Sequence, residues 1–151
     1  MSSIWGEKVM KPEFYQVQAV ENVALCLKVR RAVFIEDQGI PENIEVDGQD
    51  KQCVHFLGEL GGAPIATLRI QKQGPKAKIQ RVAVLEQYRS TGAGRAIMEE
   101  AIAWCRDWGY KEVVLGAQVT VIGFYEKFGF TVYGESYVEA DIEHRDMKLV
   151  L

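Results

Sequence analysis

The sequence predicts an α+β (or α/β) fold built on a mixed β-sheet, and three observations lead to this class. Residues 79–85 alternate and are rich in β-branched side chains, as in a strand, and a loop at residues 86–91 leads into a helix starting at residues 92–94. An apolar run at residues 113–117 follows, and a helical crossover of this kind is right-handed and joins parallel strands. Alternating segments flanking residues 61–62 predict an antiparallel hairpin, so the sheet contains both kinds of pairing.

The first third of the chain is divided by alternation and by glycine and proline. Residues 14–19 alternate as in a strand, and Asn22 is placed to cap the helix that follows. That helix ends near residues 38–39, ahead of Pro41. Its predicted core positions lie at helical spacing and are Leu25, Val29, Ala32 and Val33. Residues 41–52 are acidic and predict a loop with one helical turn.

The middle of the chain predicts a three-stranded meander and then a long helix. Strands are expected at residues 54–59 and 65–71, and a turn at residues 73–75 leads into the strand at residues 79–85. The long helix ends at Gly109, a residue suited to a helix C-terminus. Its apolar face comprises Ile97, Ala101, Trp104, Cys105 and Trp108.

The end of the chain predicts a short helix and two closing strands. The helix covers residues 119–128 and is stopped by Gly129. The strands are expected at residues 130–133 and 147–151. The predicted order is therefore strand, helix, three strands, helix, strand, helix and two strands.

Size and charge narrow the class of protein. The chain has 151 residues, which predicts one domain over residues 1–151. Its net charge of -3 argues against nucleic-acid binding, which depends on neutralising phosphates. Three cysteines without CxxC spacing indicate reduced thiols, and neither an apolar leader nor a membrane-spanning run of about 20 residues is present. We therefore expect a cytoplasmic protein that binds neither a membrane nor, with two scattered histidines, a metal ion.

A glycine-rich segment joins the strand at residues 79–85 to the long helix. It consists of Arg89, Ser90, Thr91, Gly92, Ala93 and Gly94. Amides at a helix start lack intrahelical partners and carry positive partial charge, so the segment suits a phosphate, although glycines here also serve ordinary turns. A dinucleotide fingerprint needs a third glycine where Ile97 stands, and a P-loop needs a Gly-Lys-Ser/Thr sequence that does not follow.

Several motifs together resemble the GNAT N-acetyltransferase superfamily. They are the strand sequence Val82-Ala83-Val84, the Arg-x-x-Gly-x-Gly segment after it, and the helix exit Phe124-Tyr125-Glu126-Lys127-Phe128-Gly129-Phe130. The front half of the chain and its tail are similar to the ElaA-like branch of that superfamily, through Arg30, Val33, Phe34, Gln38, Pro41, Glu45, Asp47, Asp50, His55, Ala140, Ile142, His144 and Met147. The resemblance implies a three-layer fold with a mostly antiparallel central sheet, one splayed parallel strand pair, and helices on both faces.

The resemblance also implies a co-substrate, acetyl-CoA. Its pyrophosphate would lie on the amides of residues 89–94, and its pantetheine arm would pair with the backbone of Val82 and Val84. A strand amide near Val82 or Ala83 would then stabilise the oxyanion formed on amine attack. The implied cofactor-binding set is Val82, Ala83, Val84, Arg89, Ser90, Thr91, Gly92, Ala93, Gly94, Gln118 and Phe124.

The resemblance implies fewer catalytic residues than cofactor-binding residues. In the family, the tyrosine at the position of Tyr125 protonates the departing thiolate, although a buried tyrosine also serves packing. Candidates for the general base are His144 and His55, of which we select His144, because imidazole titrates near neutral pH. A proton relay through water from Glu36, Glu45, Asp47 or Asp50 is an open alternative. A lone histidine is also often a hydrogen-bonded structural residue.

The acceptor side is expected along the first helix and the acidic segment. The candidate substrate-binding residues are Arg30, Glu36, Glu45, Asp47 and His55. Acidic residues favour a cationic amine, although such a segment can equally be a solvated face, and Arg30 is suited to pair with one of its carboxylates.

These expectations define an acyltransferase that moves acetyl from acetyl-CoA to a primary amine of a small molecule or peptide, by direct attack in a ternary complex. Two alternatives stay open at this point. One is a non-catalytic acyl-CoA-binding or regulatory module, and the other is a nucleotide or phosphometabolite binder that uses the same helix start. A homodimer through the C-terminal strands is one expected assembly.

Overall fold

Seven strands form one sheet in the computed structural model, which describes residues 15–151 of the chain. The strands are β1 (Tyr15–Val20), β2 (Cys53–Leu60), β3 (Ala63–Gln73), β4 (Lys76–Val84), β5 (Glu112–Gln118), β6 (Thr131–Glu139) and β7 (Ile142–Val150). The helices are α1 (Ala24–Arg30), continued by a π-helix over Arg31–Asp37, then α2 (Glu42–Glu45), α3 (Ala93–Asp107) and α4 (Ile122–Glu126). Single 3₁₀ turns lie at Asp50–Gln52, Glu86–Tyr88 and Val119–Val121.

The sheet has the mixed topology that the sequence predicts. Its strand order is β1-β2-β3-β4-β5-β7-β6, and β4–β5 is the parallel pair among antiparallel neighbours. One hydrophobic cluster joins the sheet to α3, and a second joins Val29, Val33 and Phe34 of the first helix to Ala83 of β4. Helices therefore cover both faces, and the predicted fold class is confirmed.

The parallel pair separates along its length. The β4–β5 register runs from Lys76–Glu112 to Lys78–Val114 and stops there, although both strands continue. Arg81 lies in the part of β4 that does not pair with β5, and its φ is 57°. Opposite it, the β3–β4 register shifts between Thr67 and Arg69. A bulge of this kind bends a strand away from its partner. The result is an opening in the middle of the sheet.

The long helix packs as predicted except at its end. Ile97, Ala101 and Cys105 are fully buried, which confirms the core face. Trp108 is 67% exposed, so its assignment to that face is wrong. The helix ends at Asp107 and Trp108 caps it with non-helical dihedral angles, so its side chain leaves the helical wheel. Its ring lies on Trp104 instead, with 5.6 Å between the ring centroids.

The first helix begins one residue after its predicted cap and ends close to the predicted position. Val23 is its N-terminal cap and makes no side-chain capping hydrogen bond, although the side-chain oxygen of Asn22 accepts a hydrogen bond of 3.0 Å from the Ala24 amide. The helical segment ends at Asp37, and Gln38 is its C-terminal cap. Leu25, predicted to be in the core, is 41% exposed, and Cys26 takes the buried position. The buried stripe thus starts one residue later and runs at helical spacing through Cys26, Val29, Arg30, Val33 and Phe34.

Other element boundaries also differ from the prediction. β4 begins at Lys76 rather than residue 79, because alternating lysines conceal its start. The helix predicted at residues 119–128 is a 3₁₀ turn followed by α4. β6 and β7 have nine residues each, longer than predicted, because β6 is an exposed edge strand with little apolar alternation and takes its conformation from pairing with β7.

Within residues 15–151, no helix is long and apolar enough to cross a membrane.

Ion pairs hold the acidic segment at residues 41–52 against the sheet. Arg30 Nε lies 2.8 Å from a Glu45 carboxylate oxygen, and Arg30 Nη1 lies 2.7 Å from Asp50 Oδ1. Arg69 on β3 contacts Asp47 at 2.6 Å and the same Asp50 oxygen at 2.8 Å. The predicted helical turn is present as α2, and its Glu45 is 3% exposed. Ion pairs therefore hold Glu45 and Asp50 within the fold, while most other residues of the segment are exposed to solvent.

Arg81 extends this network to the bulge. Its guanidinium lies 3.2 Å from Glu45 Oε2 and donates hydrogen bonds to the carbonyls of Ile44 and Glu45. Three guanidinium groups thus face three carboxylates, and their formal charges cancel. The ion-pair network, which we define as Arg30, Arg69, Arg81, Glu45, Asp47 and Asp50, connects the acidic segment to the unpaired part of β4.

We expect Ile97→Ala to lower the free energy of unfolding by about 2–5 kcal/mol, because it leaves a cavity under α3. Trp108→Ala is the control. It removes a larger but exposed side chain, so we expect a cost of about 1 kcal/mol or less. Urea unfolding at pH 7 measures both, and equal costs would contradict the exposed position of Trp108.

The network predicts a particular loss of stability in acid. Hydrogen bonds from Arg69 hold the pKa of Asp47 well below its ordinary value. Burial alone would raise the pKa of Asp50, but hydrogen bonds from Arg30 and Arg69 outweigh it and lower that pKa as well. The unfolded chain therefore binds protons more readily than the folded one, so the network stabilises the fold above the ordinary carboxyl pKa of about 4, and that contribution is lost as pH falls further.

Asp47→Asn should lower stability at neutral pH and make the fall of unfolding free energy below about pH 5 shallower. Asp107→Asn, an exposed change at the end of α3, is the control and should leave the pH profile unchanged. Urea unfolding of both variants between pH 7 and pH 3 measures the effect. Identical slopes in Asp47→Asn and the unsubstituted chain would contradict the linkage.

Candidate active site

A cleft of about 590 Å³ lies where β4 and β5 separate. Its walls come from the end of the first helical segment, from α2, from the unpaired parts of β4 and β5, from α4, and from the β6–β7 hairpin. Residues far apart in sequence, such as Phe34 and Ile142, therefore face one space. The opening in the sheet determines where this site can lie.

The backbone of β4 forms one wall of the cleft. Gln80, Arg81 and Val82 line it, whereas Ala83 and Val84 are fully buried. Within the described part of the chain, no strand pairs with the β5-facing edge of β4 beyond Lys78. That edge presents backbone donors and acceptors to an extended ligand in the way a strand edge receives another strand.

The glycine-rich segment lies directly after this edge. Ser90 has a φ of 68° and Gly92 a φ of 89°, and Gly92 is the N-terminal cap of α3. Arg89 lines the cleft, and its Nε donates a hydrogen bond of 3.0 Å to the Val84 carbonyl. The Thr91 hydroxyl donates to the Tyr88 carbonyl. Left-handed residues ahead of a fifteen-residue helix are an arrangement in which backbone amides are able to bind an anion.

Tyr125 reaches the cleft from α4 and is surrounded by aromatic rings. Its ring centroid lies 5.1 Å from that of Phe124 and 6.1 Å from that of Phe130. Burial raises the pKa of its hydroxyl well above the ordinary value. The hydroxyl therefore keeps its proton at neutral pH and can act as a donor.

His144 lies on the opposite wall, on β7. Its Nδ1 donates a hydrogen bond of 2.7 Å to the Ile142 carbonyl, which can only accept. In the neutral ring this bond places the proton on Nδ1 and leaves the lone pair on Nε2. His144 lines the cleft and is nearly buried, with its ring stacked on Tyr137.

The expected acceptor residues separate into two groups. Glu45 and Asp47 line the cleft, but both are committed to the ion-pair network. Arg30, Glu36 and His55 do not line it, which corrects their expected contact with the acceptor. Arg30 is buried in the network, as its predicted pairing with a carboxylate requires, and Glu36 is exposed on the first helical segment.

His55 is a buried structural histidine. Its Nε2 donates a hydrogen bond of 2.8 Å to the Asp50 carbonyl, and its side chain is 3% exposed. Its Nδ1 has no partner among the described residues. The His55 ring therefore contacts the backbone of the acidic segment and does not line the cleft.

Several cleft residues were not predicted. Gln38 accepts a hydrogen bond of 3.2 Å from Gln118, which joins the end of the first helical segment to the end of β5. Tyr137 and Glu139 enter the site on β6, a strand whose exposed pattern gave no functional signal. Since the network is neutral, Glu139 is the cleft-lining carboxylate without an ion pair within residues 15–151.

The chain resembles known proteins in both sequence and fold. Residues 19–130 match the Acetyltransferase (GNAT) family. ElaA of Escherichia coli is 33% identical over 135 residues, which is 85% of this chain and 88% of ElaA. The crystal structure of ElaA superposes with a TM-score of 0.77 at 31% identity, over 89% of this chain and 97% of ElaA.

Two other solved structures are similar. An acyl-CoA N-acyltransferase from Pseudomonas aeruginosa has a TM-score of 0.77 and 28% identity, over 89% of this chain and 97% of that one. A GNAT family acetyltransferase from Elizabethkingia anophelis, solved with acetyl-CoA bound, has a TM-score of 0.69 over 93% of this chain and 100% of that one. At 17% identity, this second likeness concerns the fold alone. From the family match and the likeness to ElaA, we conclude that the chain belongs to the GNAT family of acetyltransferases, in the branch that includes ElaA.

Proposed function

We propose that the protein transfers an acetyl group from acetyl-CoA to a primary amine by direct attack in a ternary complex. The observation that carries this proposal is the end of β4–β5 pairing at Lys78 and Val114, directly ahead of a glycine-rich helix start. An unpaired strand edge that is followed along the chain by an anion site suits an extended ligand that carries a pyrophosphate.

The cofactor part of the proposal assigns each portion of acetyl-CoA a surface. The pyrophosphate binds the amides of residues 89–94, and Arg89 adds a cation beside them. The pantetheine arm extends along β4 past Val84 and Val82. Acetyl-CoA in the structure from Elizabethkingia anophelis supports this ligand for a chain of the same fold.

The chemical part of the proposal uses the two walls of the cleft. The amine nitrogen attacks the thioester carbonyl, so a C–N bond forms while the C–S bond breaks. An amide near Val82 or Ala83 stabilises the oxyanion, a contribution of about 2.7–4 kcal/mol in comparable sites. His144 Nε2 accepts the proton released by the amine, and the Tyr125 hydroxyl gives its proton to the departing thiolate.

The acceptor part of the proposal rests on charge and shape. The network contributes no net charge, so the acidic segment does not attract a cation by itself. Glu139 on the β6–β7 hairpin supplies a carboxylate to the same cleft, which apolar side chains such as Phe34 and Ile44 also line. This lining suits an amine that is drawn in as the cation and loses its first proton to bulk water, so that His144 is free to accept the proton released on attack.

We expect Gly92→Ala to weaken acetyl-CoA binding about tenfold, or about 1.4 kcal/mol, because a side chain is strained at a φ of 89° and enters the phosphate site. Gly109→Ala is the matched control, since Gly109 has a φ of 81° at the other end of α3. Both changes cost stability, and the control should leave affinity unchanged. Calorimetric titration measures both, and equal affinity in Gly92→Ala would contradict the proposed pyrophosphate site.

Tyr125→Phe should lower kcat by about 10²-fold, the lower end of what a general acid contributes, with acetyl-CoA affinity unchanged. Tyr110→Phe is the control, because Tyr110 packs on Trp104 rather than in the cleft. Thiol release from acetyl-CoA is followed across polyamines, amino sugars, aminoglycosides, lysine peptides and peptide N-termini. Unchanged turnover in Tyr125→Phe would remove this residue from the mechanism.

The same assay separates the proposal from its alternatives. Binding of acetyl-CoA without thiol release for any amine would favour a non-catalytic acyl-CoA module. Tighter binding of a simple nucleotide than of CoA would favour a nucleotide binder and would overturn the transferase.

A further inference from the structure

Six residues of β5, β6 and β7 share one face of the sheet around His144. The β5–β7 register places Gly116 opposite Asp146 and Gln118 opposite His144. The β6–β7 register places Tyr133 opposite Asp146 and Tyr137 opposite His144. Directly opposed residues of antiparallel strands project from the same face, so these side chains form one cross-strand group.

Tyr137 makes two directed contacts within this group. Its ring is stacked on the His144 ring, with 5.6 Å between centroids and 16° between planes. Its hydroxyl donates a hydrogen bond of 2.8 Å to Asp146 Oδ1, one strand period further along β7. Burial, together with this bond to a carboxylate, raises the pKa of Tyr137, so the hydroxyl remains a donor.

Gly116 makes the second contact possible. A Cβ atom at this position would lie 2.4 Å from the Tyr137 hydroxyl oxygen. Any other residue would therefore push the tyrosine away from Asp146, while the backbone of Gly116 itself needs no left-handed conformation. Gly116 is therefore required here because only a residue without a side chain leaves room for the Tyr137 hydroxyl.

We propose that Tyr137 is a positioning residue for His144: anchored to Asp146 over Gly116, it holds the imidazole ring so that Nδ1 stays bonded to Ile142 and Nε2 faces the cleft. The second torsion of histidine is broad, so a single hydrogen bond leaves the ring free to rock. A stacked ring on the adjacent strand removes that freedom. The inference rests on the proposed role of His144 as base, but the ring position it describes is measurable without any reaction.

The test uses Tyr137→Leu, which removes the stacking ring, and Gly116→Ala, which displaces the hydroxyl while keeping the ring. Asp146→Ala removes the anchor, and Asp146→Asn keeps an acceptor oxygen for the tyrosine. Tyr110→Leu is the control, because Tyr110 packs on Trp104 and does not line the cleft. Each full-length variant is labelled with ¹⁵N-histidine, and the His144 tautomer is read by NMR at pH 8, where imidazole is normally neutral.

In the unsubstituted chain we expect one tautomer, with the proton on Nδ1. Tyr137→Leu should give mixed tautomers and lower kcat about tenfold, a part of the 10²–10⁴ that a general base contributes, with acetyl-CoA affinity unchanged. Gly116→Ala and Asp146→Ala should show smaller changes in the same direction. Asp146→Asn and Tyr110→Leu should match the unsubstituted chain in both readouts.

Failure of this inference and failure of the proposed function give different results. If Tyr137→Leu and Gly116→Ala keep the single tautomer and full turnover while His144→Gln loses turnover, His144 is the base and Tyr137 does not position it. If His144→Gln keeps full turnover, the proposed base is wrong. The tautomer measurement then still decides whether Tyr137 fixes the ring. Should Tyr137→Leu fail to fold, Gly116→Ala and Asp146→Ala give the same decision.

Discussion

The separation of β4 from β5 is the constraint on which the rest of this structure depends. If β4 and β5 stayed paired over their full length, the sheet would be closed and would contain no cleft. Because pairing stops at Lys78 and Val114 while both strands continue, backbone groups of β4 face an open space that ends at the start of α3. The bulge at Arg81, where φ is 57°, accompanies this separation. A strained backbone at such a place indicates that the surrounding contacts determine it.

The ion-pair network supplies those contacts. Arg81 donates to the carbonyls of Ile44 and Glu45, so the strained residue of β4 and the acidic segment hold each other in place. Removing one member would leave its buried partners with fewer counter-charges and should destabilise the fold. The network is therefore better understood as a structural support of the cleft than as a source of its charge. Because the network is neutral, the charge of the cleft lining comes from groups outside it, which include Lys78, Arg89 and Glu139.

Local patterns predicted much of this fold because local forces determine those parts of it. Gly92 and Gly109 mark the ends of α3, and both adopt left-handed conformations that a glycine tolerates best. The alternation around Gly61–Gly62 likewise gave the β2–β3 hairpin. Prediction was poorest for β6, since an exposed edge strand takes its conformation from a partner strand and carries little pattern of its own.

The candidate site likewise has parts that local sequence patterns predicted and parts that they did not. The glycine-rich segment and Tyr125 belong to contiguous motifs, and they line or adjoin the cleft. The pairing of Arg30 with a carboxylate was predicted, but the other two arginine partners were missed because Arg69 lies 22 residues from Asp47 and Arg81 lies 36 residues from Glu45. No periodicity links such positions, since strand register alone brings them together. Tyr137 was missed for a related reason, because its role depends on a glycine in β5 and an aspartate in β7.

The two walls differ in the way that acid–base chemistry at one centre requires. Tyr125 is surrounded by Phe124 and Phe130, and this apolar setting favours the neutral, proton-carrying form of a phenol. His144 lies among polar groups, with one ring nitrogen committed to a carbonyl and the other left with a lone pair. A phenol that stays protonated in the resting site is available to hydrogen-bond the developing thiolate and then to protonate it, and a histidine whose Nε2 keeps its lone pair is available to accept the amine proton. In the proposed reaction, that asymmetry keeps the proton released by the amine apart from the proton given to the thiolate.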